Sequence, residues 1–126
     1  MTINNRGAAY ARLGEHHNAL TDYNRALEIE EQPNGLFNRG ETYKHLKRYE
    51  DAASDFSRVL ELNPSDSDTL YELGCLFALW DKANDALDYL KRAIALNGKH
   101  REKAKTDEEL GNMLDDPRFK ELLELD

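Results

Sequence analysis

Apolar residues recur along this chain at three- and four-residue intervals, and the stripes they form break at regular points. Gly7, Tyr10 and Leu13 fall three apart; after Gly14-Glu15-His16-His17, a second stripe runs through Ala19, Leu20, Tyr23, Ala26 and Leu27. That is one face of a helix, a break, and one face of a second helix. The pair returns as Leu36, Phe37, Gly40 and Tyr43, then Ala52, Phe56, Val59, Leu60 and Leu62. It returns again as Leu70, Leu73, Gly74, Phe77 and Leu79, then Ala86, Leu87, Leu90, Ala93, Ile94 and Leu96. No run rich in valine, isoleucine and threonine alternates with polar residues over the length of a strand. The pattern predicts an all-α chain of helical hairpins.

The hairpins share one phase. Gly7, Gly40 and Gly74 stand 33 and 34 residues apart. Ala19, Ala52 and Ala86 keep that spacing, as do Tyr10, Tyr43 and Phe77, and Tyr23, Phe56 and Leu90. Ala26, Val59 and Ala93 form a further series, and Leu27, Leu60 and Ile94 another. A fixed period of this length is the mark of a repeat architecture. A glycine inside a helix costs about 1 kcal/mol against alanine, so one that recurs in phase implies tight packing. Gly40 is expected to meet Ala52, with Tyr43 and Phe56 filling the space beyond. Gly14 suits a left-handed turn, and Lys47 and Asp81 occupy the matching positions. Asn63-Pro64-Ser65-Asp66 and Gln32-Pro33-Asn34-Gly35 read as stops between hairpins, and Asn97-Gly98 as a third.

These residues resemble the tetratricopeptide repeat family. Its pattern sets a large apolar residue, a small one and an aromatic in the first helix, then alanine, an aromatic and alanine in the second, with proline following. The second hairpin fits best, through Phe37, Gly40, Tyr43, Ala52, Phe56 and Pro64. The resemblance implies a right-handed superhelical solenoid with repeats at 3–33, 34–67 and 68–98 in one repeat domain, closed by a helical cap at 99–126. In that last stretch Thr106 with Glu109 reads as a helix start, and so does Asp116 with Pro117. Phe119, Leu122, Leu123 and Leu125 are expected to face inward.

The same resemblance places the first helix of each repeat on an inner surface that holds a partner. The groove residues it implies are Asn4, Asn5, Ala8 and Arg12 in the first repeat. In the second they are Asn34, Phe37, Asn38, Glu41, Lys44 and His45, and in the third Asp68, Tyr71, Glu72, Cys75 and Leu79. Family members that clamp a chaperone's terminal carboxylate need lysine at 4 and 68, asparagine at 8 and 38, and arginine at 72. This chain has Asn4, Ala8, Asn38, Asp68 and Glu72 there. One position of five survives and two reverse charge, which argues against that ligand. Asp68 and Glu72 favour a basic segment instead.

Composition narrows the picture further. The net charge of −8, from 25 acidic and 17 basic side chains, opposes binding to nucleic-acid backbones and anionic membranes. No stretch approaches the roughly 20 apolar residues of a membrane span, and the polar N-terminus does not read as a secretory signal. One cysteine, Cys75, leaves no intramolecular disulfide and fits a reducing, cytoplasmic setting. No catalytic motif, cofactor or metal site is expected. His16 and His17 are adjacent on a turn, His45 and His100 are isolated in sequence, and Cys75 lacks a neighbouring base. The acidic residues around 107–116 lack the spacing of a calcium loop. The expected function is an adaptor that presents its groove to a peptide or helix of another protein. The alternative is a self-associating structural unit, for which Trp80 is a candidate contact.

Overall fold

The computed structural model describes residues 2–124. All regular structure among them is helical: α1 (Ile3–Arg12), α2 (His16–Ile29), α3 (Pro33–His45), α4 (Tyr49–Leu62), α5 (Ser67–Leu79), α6 (Ala83–Leu96), α7 (Lys99–Thr106), a 3-10 helix (Glu108–Met113) and α8 (Pro117–Glu124). Consecutive helices pair as antiparallel hairpins, α1 with α2, α3 with α4 and α5 with α6. The chain divides into two compact units, Met1–Pro64 with the first two hairpins and Ser65–Asp126 with the third hairpin and the C-terminal segment.

The three hairpin turns are built alike. Gly14 has φ +79°, and Lys47 and Asp81 adopt the same left-handed conformation at 61° and 58°. In each turn the next backbone N–H reaches five residues back: Glu15 to the Tyr10 carbonyl at 2.9 Å, Arg48 to Tyr43 and Lys82 to Phe77 both at 2.8 Å. The left-handed residue itself donates three residues back, to Ala11, Lys44 and Ala78. This pair of bonds satisfies carbonyls that a helix end otherwise leaves open. Only the first turn uses glycine, so the other two carry the left-handed penalty of about 1–2 kcal/mol. Helix starts are also local. Thr2 accepts from the Asn5 N–H, Asp66 from Thr69 and Asp116 from Arg118, while Pro33 opens α3 where no donor is needed.

The hairpins close on their small residues. Ala19, Ala52 and Ala86 are fully buried. The nearest neighbour of Gly40 is the Phe56 ring: a Cβ there would sit 2.8 Å from it. Gly7 lies the same way on the Tyr23 ring and Gly74 on Leu90, at 2.8 and 2.6 Å. The glycine makes room for the large residue 16 positions on. Three leucines expected in the apolar stripes are instead exposed. Leu13 is 74% exposed at the end of α1, and Leu62 and Leu96 are exposed at the ends of α4 and α6, because each stripe rotates out of the contact at the last turn.

Sequence reading missed one feature of the first unit. Arg6 pairs with Asp22, and Arg39 with Asp55, each through two hydrogen bonds of 2.7–2.8 Å. Both pairs bridge the two helices of a hairpin. Asp22 and Asp55 are buried, and the Arg6 hydrogen bond holds the Asp22 carboxyl below its usual range. The corresponding positions in the third hairpin are Leu73 and Tyr89.

In the second unit α7 follows α6 after one break, where Asn97 accepts from the Lys99 N–H. The helix start expected at Thr106 is a helix end. Asp107 is the cap that follows, accepting from the Glu109 N–H at 3.0 Å and starting the 3-10 helix. Phe119 and Leu122 are buried as expected and Leu123 is half-buried. Leu125 lies outside the described residues.

Candidate interaction surfaces

In the first unit α1 and α3 frame an open hollow of ≈340 Å³, lined by Ala8, Ala11, Arg12, Tyr23, Asn38, Glu41, Thr42 and His45. Five of the residues expected in the groove are here: Ala8, Arg12, Asn38, Glu41 and His45. The small side chains of Ala8 and Ala11 leave the space, and Tyr23 and Thr42 form its buried wall. Arg12 and His45 are exposed at its rim. The His45 ring is not isolated: it stacks on His16 with centroids 5.3 Å apart and planes within 9°. Nothing in the sequence near either residue signals that pairing, which the turn between α1 and α2 creates.

The other first-unit residues are placed differently. Asn4 borders a separate hollow of ≈270 Å³ with Ile3, Leu27, Ile29 and Gly35. Asn5 and Asn34 are exposed at the starts of α1 and α3. Phe37 turns its ring edge-on to Phe56 at 5.5 Å and belongs to the packing of the hairpin. Lys44 is buried, with its ammonium 3.7 Å from Glu41, so it does not offer a cation to a ligand.

In the second unit the expected open face of α5 is covered. Tyr71 is 1% exposed and Cys75 0%, where the sequence implied ligand-facing positions. The chain after α7 crosses them. The Tyr71 hydroxyl donates to Asp107 Oδ2 at 2.8 Å, and the Cys75 thiol faces the same oxygen at 3.9 Å. Burial first, then the neighbouring Cys75 and Asp107, pushes the Tyr71 hydroxyl well above its ordinary range and keeps it a donor. His100 stacks on the Tyr71 ring at 5.0 Å, with Nε2 3.1 Å from Ser67 Oγ. Leu79 is half-buried and Glu72 partly so. Asp68 stays exposed, but Lys99 and His100 stand 3.7 and 3.4 Å from it.

Cys75, Asp107 and Glu109 place three metal-capable atoms within 4.8 Å of one another, although the Asp107 oxygens already accept from Tyr71 and the Glu109 N–H. Trp80 is half-buried rather than a free surface ring. It stacks on Phe77, and the Lys82 ammonium lies 4.0 Å over it. Among the described residues no helix is long and apolar enough to cross a membrane.

Tandem hairpins of one period, closed through small residues and leaving a polar-rimmed hollow on a first helix, define a helical-repeat interaction module. The chain belongs to the tetratricopeptide repeat family: the profile of that repeat matches residues 2–33 and 33–66. Two solved structures of MamA are similar. One, "Crystal structure of MamA", has a TM-score of 0.73 at 16% identity, over 97% of this chain and 75% of that one. The other, MamA AMB-1, has a TM-score of 0.72 at 25% identity, over 98% of this chain and 70% of that one. At such identities the likeness speaks to the fold. No curated protein matches the sequence. Chains of this family act as non-catalytic protein-interaction modules, and the all-helical hairpin architecture agrees.

Proposed function

We propose that the chain is an adaptor whose first unit holds a peptide segment of another protein in the hollow between α1 and α3. The observation that carries this is the polar rim of Arg12, Asn38, Glu41 and His45 around a floor of Ala8 and Ala11. The Asn38 amide offers both a donor and an acceptor to a peptide main chain. The net charge of −8 steers basic segments toward the molecule. The acids first read as basic-ligand contacts, Asp68 and Glu72, are less suited, since Lys99 and His100 already face Asp68.

A random peptide library selected on the full chain tests the reading. Selected peptides should carry net positive charge and lose about tenfold or more in affinity to Asn38→Ala and Glu41→Lys variants, a loss of about 1.4 kcal/mol. Peptides that bind both variants as well as the wild type would place the site elsewhere.

Self-association is the second reading. Ile29 is 69% exposed beside the hollow that also contains Ile3 and Leu27, an apolar edge of the kind that pairs. Light scattering across concentration separates it: a mass that stays at 14.5 kDa rejects it.

A further inference from the structure

Residues 107–113 lie on α5 as a ligand would. The contact has a polar anchor and two apolar ones. Asp107 receives the Tyr71 hydroxyl and faces the Cys75 thiol. Three and six positions on, Leu110 and Met113 are buried, at 0% and 3% exposure. The Asn112 amide reaches the Ala78 carbonyl at 3.5 Å. Between the anchors Glu108, Gly111 and Asn112 are exposed.

Two features set this contact apart from ordinary core. First, one of its anchors is polar. A partly buried carboxylate is costly unless it is hydrogen-bonded, and here α5 supplies the Tyr71 hydroxyl at 2.8 Å and the Cys75 thiol at 3.9 Å. Second, the occupying segment is six residues of 3-10 helix. Such helices have poorer hydrogen-bond geometry than α-helices and little stability of their own, so the segment is held by α5 more than by itself.

We infer that residues 107–113 are an intramolecular occupant of a binding face on α5. That face takes protein segments in which a carboxylate is followed by apolar residues three and six positions later. The chain's own segment has the advantage of tethering, which gives effective concentrations of about millimolar order. A partner segment of the same pattern gains the site when it binds more tightly or when the tethered one is weakened. This site prefers an acidic segment, is separate from the hollow between α1 and α3, and is tested separately.

The test begins with the wild-type full chain. Hydrogen exchange should show the amides of Leu110–Met113 opening about tenfold or more faster than those of Leu87–Ala93, as a local rather than global event. Cys75, the sole thiol, should react with a soluble thiol reagent at that same local rate. Protection equal to that of α6, with Cys75 reacting only on global unfolding, would overturn the inference.

The second arm uses an acetylated, amidated, fluorescent peptide of residues 105–114. It should bind an Asp107→Ala, Leu110→Ala variant about tenfold more tightly than the wild type and restore Cys75 protection. A peptide carrying lysine at the Asp107 position should not. Absence of binding to a variant that keeps its helical ellipticity also overturns the inference. Should that variant lose its ellipticity, the wild-type exchange decides alone.

Discussion

Gly40→Ala is the sharpest test of the packing argument, because it sets two opposed effects of known size against each other. Alanine in a helix interior is favoured over glycine by about 1 kcal/mol. The added Cβ, however, would lie 2.8 Å from Phe56 Cε1 and 3.1 Å from Cδ1 and Cζ. Carbon atoms rest at about 3.5–4.0 Å, so the ring must retreat by about 0.7 Å. It has no free space to enter, since Phe56 is fully buried and meets the Phe37 ring edge-on. Overpacking of a well-filled core costs about 1–3 kcal/mol. A rigid ring, unlike a flexible chain end, puts this case in the upper half of that range. The net expectation is a loss of about 1–2 kcal/mol, and a fall in Tm of about 4–8 °C. Gly111→Ala is the control, because nothing lies within 4 Å of its Cβ position. Thermal and urea unfolding followed by circular dichroism measures both. If Gly40→Ala matches or exceeds the wild type in stability, the close approach to Phe56 does not explain this glycine.

Three further outcomes are expected. Lys47→Gly should stabilise the second hairpin by about 0.5–1 kcal/mol, because it relieves a left-handed residue at a smaller cost in chain entropy; urea unfolding reads it. Asp55→Ala should cost about 2–3 kcal/mol by stranding the largely buried Arg39. The double change Arg39→Leu, Asp55→Tyr, which installs the third hairpin's residues, should recover most of that loss in the same assay. His100 gives a pH dependence. Burial holds its imidazole below the ordinary 6.5, with Asp68 opposing and Lys99 and Lys103 adding to the effect. The unfolded chain therefore takes up the proton first. The contribution of His100 to stability is complete above pH 6.5 and declines as pH falls through that value toward the folded one; in His100→Gln, melting curves should lose that slope.

The hairpins and their turns were legible because one period sets both the apolar phase and the breaks. Gly14, Lys47 and Asp81 could be matched by position alone, and all three are left-handed. What the period could not show was a residue's partner. Gly40 meets Phe56 because side chains lean back along a helix, so the nearest contact is not the residue directly opposite. The ion pairs escaped notice because polar residues on an apolar stripe read as solvated, although Arg6 and Arg39, like Asp22 and Asp55, repeat at 33 residues. The candidate site was legible only where a hairpin covers itself. In the first unit five groove positions do line one hollow. In the second, Tyr71 and Cys75 were misread because what buries them comes 32 to 36 residues later, from a stretch outside the repeat pattern.

The third hairpin differs from the first two at two places, and the differences have one physical sense. Where the earlier hairpins hold Arg–Asp pairs, it holds Leu73 and Tyr89, so those two positions cannot form an ion pair. Its first helix carries Tyr71 and Cys75 where α3 carries Phe37 and Glu41. An ion pair between helices fixes geometry but adds little net stability, because desolvation offsets most of the attraction. Apolar residues at the same positions leave the hairpin well packed without a demand for charge balance. The Tyr71 hydroxyl and Cys75 thiol of α5 face the segment laid across them, and Asp107 is the group that meets them. Replacing Tyr71 with phenylalanine keeps the ring and its stack on His100 but removes the donor. That variant should keep its helical content, while Cys75 becomes more reactive, because Asp107 loses its 2.8 Å hydrogen bond. Unchanged reactivity would mean that packing of Leu110 and Met113 alone holds the segment.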